Sequence, residues 1–491
     1  MLLFLPVAVP FATAVLALLA RRVPRASRAV SLLGAGVLVA VAAAILVRTA
    51  RQGPFAMQAG GWPAPFGITF VADLLSASLV ALTAVVAVAT IVFGFADVDE
   101  EQERLGHHAL VHAMLAGICG AFLTGDIFNM YVWFEVMLIS SFGLLVIGGG
   151  RAQLDGAAKY VGLNLIATVA FIAGVGLLYG ATGALNMADL HARLAGRTME
   201  TPILVSAAFL VFAFGSKAAA FPMFFWLPAS YHTPSFATSA VFAALLTKVG
   251  VYAMLRVFTL VYGIEGTAIQ TLLLWLAVLS MVVGALGALV QGTMRRMLGY
   301  GVISSVGYML LGLALSSPLA LAGSVFYLLQ DVPAKAALFM SAGLAQRSAG
   351  SEAFDHGGGL WRAQPWAAAL FLVPALSLAG MPPFAGFWAK LMLAQATLAA
   401  ASYGLALAVL GVGLLTLLAV ARVWNAVYWA AAPGVTVRPA PAAMIAPIAA
   451  FAAALLVAGV IAGPGLAAAQ AMAAGLLDPA AYLAAVLGVG G

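Results

Sequence analysis

Residues 236–262, FATSAVFAALLTKVGVYAMLRVFTLVY, form a long apolar run that carries Lys248 near its middle. A helix needs about 20 predominantly apolar residues to cross a bilayer, so this run is long enough to span one. A charge at the centre of such a helix costs at least about 2.5–3.5 kcal/mol on insertion scales. The run therefore predicts a membrane helix in which a buried lysine has a compensating role.

The composition extends this prediction to the whole chain. Of its 491 residues, 64% are apolar and only 8% are charged, whereas soluble proteins carry roughly 25% charged residues. Such a chain could not cover itself with a polar surface, which excludes a soluble enzyme. The apolar runs are continuous rather than alternating, which disfavours a membrane β-barrel. The predicted fold class is all-α, as a polytopic membrane protein.

Charge, cysteine and motif patterns exclude further classes. The net charge of +6 is scattered along the chain, so we expect no nucleic-acid partner. A single cysteine, Cys119, excludes internal disulfides and cysteine metal sites, and it is expected to be a buried apolar residue. His107, His108 and His112 are expected at a solvated membrane boundary rather than in a metal site. With no phosphate-binding or dinucleotide motif, the sequence predicts no cofactor and no metal.

Apolar runs separated by glycine, proline and charged residues predict about fourteen transmembrane helices. Their predicted ranges are 2–20, 29–48, 69–96, 107–124, 127–149, 157–181, 202–227, 236–262, 268–291, 298–315, 318–346, 366–396, 402–430 and 440–463. The Ala-rich tail, residues 466–491, is expected to form a short interfacial helix.

Spans seven and twelve each contain prolines near a lysine, Pro222 and Pro228 in the first and Pro382 and Pro383 in the second. Proline removes a backbone donor and frees a carbonyl, which inside a membrane requires protein or water nearby. Both spans are therefore predicted to be broken. Because they lie five spans apart, we expect an inverted repeat of spans 4–8 and 9–13. The predicted organisation is three N-terminal helices (1–106), a first five-helix repeat (107–262), a second five-helix repeat (268–430), and a last helix with an interfacial tail (440–491).

Arginines in the loops predict the orientation of the chain. The odd-numbered loops hold most of them: Arg21, Arg22, Arg25, Arg28, Arg151, Arg295, Arg296, Arg347, Arg362 and Arg438. The even-numbered loops hold fewer: Arg51, Arg193 and Arg197. The odd-numbered loops are therefore expected in the cytoplasm, and both termini outward.

The chain has only five lysines, and four of them fall inside predicted spans: Lys217, Lys248, Lys335 and Lys390. The fifth, Lys159, lies at a predicted helix start, where a basic residue is ordinary. Arginine keeps its proton in proteins, whereas a lysine removed from water can release it near neutral pH. The preference for lysine over arginine inside the membrane favours a protonatable relay.

Each candidate also has a structural interpretation. Glu135, eight residues inside span five among aromatic residues, could be a carboxylate that merely neutralises a lysine. Lys217 and Lys248 could likewise belong to inert ion pairs. Lys390 follows the double proline of span twelve and could extend its amine to the membrane surface.

The remaining acidic residues within or beside spans have simpler expectations. Asp331 and Lys335 are spaced i,i+4, so they share a helix face and could neutralise each other. Asp126 is expected to cap the start of span five. Asp73 lies one turn into span three and is expected to be an N-terminal helix charge.

Four stretches resemble the antiporter-like membrane proteins shared by complex I and the Mrp multisubunit cation/proton antiporters, the D-type Mrp proteins above all. The stretches are AFLTGDIFNMYVWFE at 121–135; KYVGLN at 159–164 with GALNMAD at 183–189; residues 217–256, including FWLPASYHTP at 225–234 and LTKVGVY at 246–252; and SLAGMPPFAGFWAK at 377–390. The resemblance covers about residues 70–430, and the third stretch is the most discriminating.

The resemblance implies a role for each buried charge. Glu135 and Lys217 would be the glutamate–lysine pair of a proton half-channel, Lys248 the central relay and Lys390 the exit lysine. Lys335 matches a lysine of the following relay helix. Gln330 stands where many relatives have histidine, and it can hold water but cannot titrate.

The resemblance also implies partners and location. The chain would be the proton-translocating subunit of a Na⁺(K⁺)/H⁺ antiporter in a bacterial cytoplasmic membrane, working with other membrane subunits. The alternatives are a proton-pumping membrane subunit of a redox complex, such as complex I or a membrane hydrogenase, and a non-transporting scaffold. The intramembrane lysines argue against the scaffold.

The loop arginines predict how engineered cysteines react with a membrane-impermeant thiol reagent. Gly491→Cys should be labelled from outside the cell, whereas Arg296→Cys should be labelled only from the cytoplasmic side. Labelling of intact cells and inverted vesicles compares the two positions. Labelling of Gly491→Cys from the cytoplasmic side alone would contradict the predicted orientation.

Overall fold

The computed structural model describes residues 1–355, 358–430 and 438–488. The segment 431–437, in the predicted loop after span thirteen, lies outside the described residues, and so does 489–491, which includes Gly491. The described chain is a bundle of helices with one two-stranded antiparallel sheet.

The first half of the chain contains eleven helices and both strands. They are α1 (Leu5–Ala20), α2 (Pro24–Gln52), β1 (Phe55–Gln58), β2 (Thr69–Ala72), α3 (Leu74–Gly94), α4 (Glu100–Arg104), α5 (His107–Leu123), α6 (Ile127–Val146), α7 (Arg151–Thr182), α8 (Met187–Leu194), α9 (Thr201–Ala218), α10 (Trp226–Ser230) and α11 (Phe236–Tyr262).

The second half adds ten helices in the described residues. They are α12 (Ala268–Leu289), α13 (Met294–Leu315), α14 (Pro318–Ala349), α15 (Leu360–Ala363), α16 (Pro365–Ala379), α17 (Ala385–Ala399), α18 (Tyr403–Trp429), α19 (Ala442–Val460), α20 (Ala462–Leu477) and α21 (Ala480–Leu487).

Eleven described helices are long and apolar enough to cross a membrane, or twelve if the bent pair α20–α21 is one span. Three predicted spans fall outside this set although they are helical. α5 has 17 residues, α14 carries Gln330, Asp331 and Lys335 in its middle, and the twelfth span is divided into α16 and α17. The polytopic helical fold is confirmed, whereas the count of fourteen and the inverted repeat stay predictions.

The start of predicted span three is wrong. Residues 69–72 form β2, which pairs with β1 from Phe55↔Ala72 to Gln58↔Thr69. The helix begins only after Asp73, whose side chain accepts a hydrogen bond from the amide of Ser76 and caps α3. A buried strand of four residues, three of them apolar, cannot be told from a helix turn by its hydropathy alone.

Both predicted helix breaks are present. α9 ends at Ala218, and the segment that follows carries Ala219 at φ +59° before α10 begins. The twelfth span ends its first part at Ala379, with Gly380 at φ +86°, and resumes at Ala385. Side chains satisfy the backbone at each break, since the Phe221 amide donates to Ser280 Oγ and the Gly386 amide donates to Ser377 Oγ.

The expected single interfacial helix of the tail is wrong, because the tail forms two helices, α20 and α21, bent by 66°. The apolar residues Ala469, Met472 and Ala473 of α20 are buried. In α21, the Tyr482 ring lies 5.1 Å from the Arg256 guanidinium of α11. The tail is therefore packed against the helix that carries Lys248.

Odd-numbered loops contact other odd-numbered loops, and even-numbered loops contact other even-numbered loops, as expected for helices that alternate in direction. Among the odd-numbered loops, Arg28 pairs with Glu103 and Arg295 with Glu352. On the even side, the Gly125 amide donates to the Thr69 carbonyl, and Gln58 Nε2 donates to the Val486 carbonyl. Phe4 also contacts Phe70, so the described chain begins and ends on the even side.

The expectation of solvated histidines at the start of α5 is also wrong. His107, His108 and His112 are 5%, 3% and 0% exposed. His108 Nε2 lies 3.2 Å from Glu103 Oε1, and Arg28 Nε donates to the same oxygen at 2.8 Å. Burial alone would raise the pKa of Glu103, but the hydrogen bonds from His108 and Arg28 lower it. The short helix α4 therefore covers histidines that the sequence predicted to be solvated.

Gly250 allows α11 and α9 to pack closely between two of the buried lysines. A Cβ added at Gly250 would lie 2.6 Å from the Ala218 amide nitrogen and 3.0 Å from the Lys217 carbonyl carbon. Backbone cannot move aside as a flexible side chain can, so the two helices would have to separate.

We expect Gly250→Ala to lower the thermal stability of the detergent-solubilised protein, because overpacking costs about 1–3 kcal/mol. The matched control is Gly176→Ala in α7, where an added Cβ meets nothing within 4 Å. Thermal denaturation of both variants gives the comparison. Equal melting temperatures for Gly250→Ala and Gly176→Ala would show that the α9–α11 contact tolerates separation.

Candidate functional site

Glu135 and Lys217, the predicted first pair, are connected through a threonine. Thr168 of α7 donates its hydroxyl to Glu135 Oε1 of α6 at 2.7 Å and accepts from Lys217 Nζ of α9 at 3.3 Å. Lys217 Nζ also donates to the Asn164 carbonyl at 3.4 Å. The arrangement is a chain of acid, hydroxyl and amine. A hydroxyl that donates one bond and accepts another can pass a proton along such a chain.

The two ends of this chain differ in burial. Lys217 is 3% exposed and lies one residue before the end of α9, where the helix breaks. Glu135 is half-buried. The glutamate is therefore the more accessible end, and the lysine the more interior one.

Lys248 forms a fully buried ion pair with an acidic residue of another helix. Its Nζ lies 2.7 Å from Asp331 Oδ2 of α14, and both side chains are 0% exposed. Nζ also donates at 2.6 Å to the carbonyl of Ala243, which belongs to the π-helical turn Phe242–Leu246 inside α11. Irregular turns of this kind occur frequently at functional sites.

The Asp331 carboxylate keeps spare hydrogen-bonding capacity. The contact with Lys248 is close enough for an ion pair, yet neither carboxylate oxygen accepts a hydrogen bond of good geometry from the described residues. A buried carboxylate with unused lone pairs is a place where a water molecule or a proton is favoured.

The i,i+4 spacing allowed Lys335 to neutralise Asp331, but the two side chains do not pair. Asp331 pairs across the helix interface with Lys248, because α11 and α14 pack together at this level and bring the two side chains into direct contact. Within the described residues Lys335 has no hydrogen bond and no ion pair of its own, although it is 1% exposed.

The side chain of Lys335 instead lines a cavity of about 30 Å³. Ser304, Ser305 and Tyr327 line the same cavity. A water needs about 10–15 Å³ measured in this way, together with several polar partners. The cavity therefore has room and hydrogen-bonding groups for about two waters next to the amine.

Lys390 lies against the break of the twelfth span. Its Nζ donates at 3.1 Å to the carbonyl of Ala379, the last residue of α16, and lies 4.7 Å from the centre of the Tyr308 ring. The lysine stem crosses Gly380, where an added Cβ would lie 2.6 Å from Lys390 Cδ. With 7% exposure, the side chain is held inside the protein and does not extend to the surface.

Gln330 connects α14 to the break of the twelfth span through a hydrogen bond. Ser377 Oγ donates to Gln330 Oε1 at 3.1 Å and accepts from the Gly386 amide at 3.0 Å. Gln330 Nε2 is buried and has no partner among the described residues. The amide thus anchors the broken helix and retains a free donor, but supplies no titratable group.

Other sequence expectations have clear outcomes. Asp126 caps α6 by accepting from the Asn129 amide at 2.7 Å, as predicted. Cys119 is fully buried, as predicted. Lys159 is an exposed residue that pairs with Asp155 at 2.6 Å, so it belongs to the surface. Asp73, expected within the first turn of a helix, is instead its capping residue.

Sequence reasoning missed two contacts. One is the Thr168 bridge, since a threonine in an apolar helix gives no signal of its own. The other is a buried ion pair between Arg256 and Asp73, in which the Arg256 side chain is 2% exposed. Arg256 could have been noticed, because it is an arginine inside the same apolar run that carries Lys248.

A family model described as NADH:quinone oxidoreductase/Mrp antiporter, TM, matches residues 124–416. The chain belongs to this family. The matched range contains all five candidate residues, Glu135, Lys217, Lys248, Lys335 and Lys390. As a member of the family, the chain is a polytopic membrane protein with an antiporter-like fold.

Similar proteins fall in two groups. Curated relatives include the D-type protein of the Na(+)/H(+) antiporter of Alkalihalophilus pseudofirmus, 40% identical over 87% of each chain, and that of Bacillus subtilis, 36% identical over 87% of this chain and 86% of the relative. Solved structures include the Mrp complex from Dietzia sp. DQ12-45-1b, with TM-score 0.92, 31% identity and 99% of both chains covered. Respiratory complex I from Thermus thermophilus matches with TM-score 0.85 at 25% identity, over 97% of this chain and 100% of that chain.

The Thr168 bridge can be tested by removing only its hydroxyl. We expect Thr168→Val to slow cation-dependent proton exchange by about fivefold, since loss of one hydrogen bond is worth about 1 kcal/mol. Thr168→Ser, which keeps the hydroxyl, is the matched control and should retain most of the exchange. Vesicle pH-gradient assays at equal amounts of assembled complex measure both. Parental exchange in Thr168→Val would mean that the bridge has no part in transport.

Proposed function

We propose that this chain is the proton-translocating subunit of a multisubunit Na⁺(K⁺)/H⁺ antiporter, in which a buried Glu/Lys relay moves protons in exchange for a monovalent cation. The observation that carries the proposal is the fully buried Lys248–Asp331 pair, which has protonatable stations on both sides along the bundle. A structural ion pair would need no such neighbours.

The proposed route begins at Glu135. A proton taken up on the Glu135 carboxyl passes through the Thr168 hydroxyl to a neutral Lys217, which requires the hydroxyl to turn, because in the structure it donates to Glu135 and accepts from Lys217. Gly250, two residues from Lys248, packs on the backbone of Lys217, which supports the central pair as the next step of the route. Lys335, one helical turn from Asp331, and its cavity follow, and Lys390 is the last station.

The chemistry rests on a shared carboxylate. Asp331 stabilises whichever neighbouring ammonium is close to it, and a lysine that loses this partner in a dry interior favours its neutral form. A proton that arrives from Lys217 would therefore break the Lys248–Asp331 ion pair, and positive charge would pass toward Lys335. Arginine could not take part, because its guanidinium holds the proton.

Partners and orientation belong to the same proposal. The curated relatives are named as antiporter subunits, which supports other membrane subunits as partners of this chain. The exchanged cation is Na⁺ or K⁺. The bacterial relatives support a location in a bacterial cytoplasmic membrane, and the loop arginines support odd-numbered loops inside and both termini outward. The three N-terminal helices, two five-helix repeats and tail remain the proposed organisation.

A second candidate is a proton-pumping subunit of a redox complex. The chain superposes on a protein of a membrane-bound sulfane sulfur reductase with TM-score 0.93, but at 27% identity. The two antiporter relatives are more similar in sequence, at 36% and 40% identity. The antiporter assignment is therefore the better supported of the two.

The relay predicts how lysine-to-arginine changes behave. Lys248→Arg keeps the charge and should slow proton exchange by at least about tenfold, because a general acid–base group that cannot release its proton is lost. Lys390→Arg should also be strongly impaired. The control is Lys159→Arg, whose side chain is exposed and paired with Asp155. Cation-driven collapse of a pH gradient in inverted vesicles measures all three.

Each outcome of this comparison is decisive at matched abundance of the complex. Full activity of Lys159→Arg together with loss in Lys248→Arg supports a station that must deprotonate. Full activity of Lys248→Arg would reduce this lysine to a fixed countercharge and remove the relay mechanism with it.

A further inference from the structure

Two separate cavities lie along the last part of the proposed route. The inner cavity, of about 30 Å³, contains the Lys335 side chain, Ser305 and Tyr327. The outer cavity, of about 290 Å³, lies between α17 and α18 and contains the Lys390 side chain and Val409. Both have room for water, and in each the lysine amine is the charged group in an otherwise mainly apolar lining. The route from Lys335 to Lys390 must therefore pass the side chains that separate the two cavities.

The side chain of Tyr308 lies between the two cavities. On the inner side its ring stacks on Tyr327, with centroids 5.1 Å apart and planes inclined by 10°. On the outer side the same ring faces Lys390 Nζ at 4.7 Å. Tyr308 is 1% exposed, and it lies one turn along α13 from Ser305 of the inner cavity.

A hydrogen bond across helices holds the ring in this position. The Tyr308 hydroxyl donates to the carbonyl of Val409, on α18, at 2.8 Å. Its stacking partner is also anchored, since the Tyr327 hydroxyl donates to Ser305 Oγ at 3.4 Å. Neither hydroxyl is directed at a lysine, so the tyrosines act as a barrier rather than as proton carriers in this arrangement.

We propose that Tyr308 is a gate that separates the water around Lys335 from the water around Lys390, held closed by its hydrogen bond to Val409. This inference rests on the proposed function, because it concerns the path between two stations of the relay. The face of the ring also stabilises the Lys390 ammonium by a cation–π contact. Loss of charge on Lys390 removes that attraction, so protonation of the last station favours closure and deprotonation favours opening.

A permanent opening should make the complex leak protons. Tyr308→Ala removes the ring and leaves a space bordered by Ser305, Tyr327 and Lys390, whose polar groups favour water. A continuous file of water would then connect the two cavities without the coupled step. Tyr308→Phe removes only the hydroxyl, so the stacked ring remains but its anchor on Val409 is lost.

The experiment measures decay of an imposed pH gradient in vesicles that contain the complete complex and are prepared without Na⁺ or K⁺, so that coupled exchange cannot collapse the gradient. We expect Tyr308→Ala to accelerate decay by about tenfold, and Tyr308→Phe to fall between Tyr308→Ala and the parent. The matched control is Tyr262→Ala, another buried tyrosine anchored by a hydroxyl contact, with Ser206 Oγ at 2.7 Å, away from both cavities. It should decay at the parental rate.

The leak separates this inference from the proposed function. A leak confined to the Tyr308 variants supports the gate, whatever the arginine variants of the lysines show. Decay at the parental rate in assembled Tyr308→Ala overturns the gate, even where Lys248→Arg abolishes exchange. If Tyr308→Ala fails to assemble, parental decay in Tyr308→Phe overturns the gate instead. Such a result would show that the hydrogen bond to Val409 does not keep the gate closed.

Discussion

A positive charge inside a membrane protein is costly unless another group compensates it, and this chain buries four lysines in its interior. The Lys248–Asp331 contact is the arrangement on which the others depend. Both partners are completely buried, and they come from helices in different halves of the chain. A pair of this kind contributes little net stability compared with well-packed apolar residues, since desolvation offsets the attraction. Its presence is better explained by transfer of charge than by folding.

The remaining buried lysines are compensated in weaker ways, and this difference gives the proposed route its direction. Lys217 is tied through Thr168 to a half-buried glutamate. Lys335 lines a small cavity with room for water, and Lys390 has a backbone carbonyl and the face of an aromatic ring. Only the central lysine has a direct carboxylate partner among the described residues. Charge that leaves it must therefore be carried by water and dipoles, which are the groups that the two helix breaks and the cavities provide.

Much of this architecture could be predicted from the sequence. Long apolar runs located the helices, prolines located both breaks, and lysines inside apolar runs located the buried charges. Each of these features is energetically costly inside a membrane, so each leaves a clear signal in the sequence. The partners of the charges could not be predicted. The i,i+4 spacing favoured Lys335 as the partner of Asp331, whereas packing between α11 and α14 selected Lys248. Thr168 gave no signal, and the histidines of α5 are buried because a distant segment covers them.

The central claim is that the Lys248–Asp331 pair exists for transport and not for stability. Replacing both partners with apolar residues, Lys248→Met together with Asp331→Leu, leaves neither member of the pair as an unpaired charge, so the complex should assemble and melt within a few degrees of the parent. Cation-driven proton exchange of this double variant, measured in vesicles at matched abundance, is the most direct test. Exchange should be absent. Exchange at the parental rate would show that the pair is structural and would contradict the account.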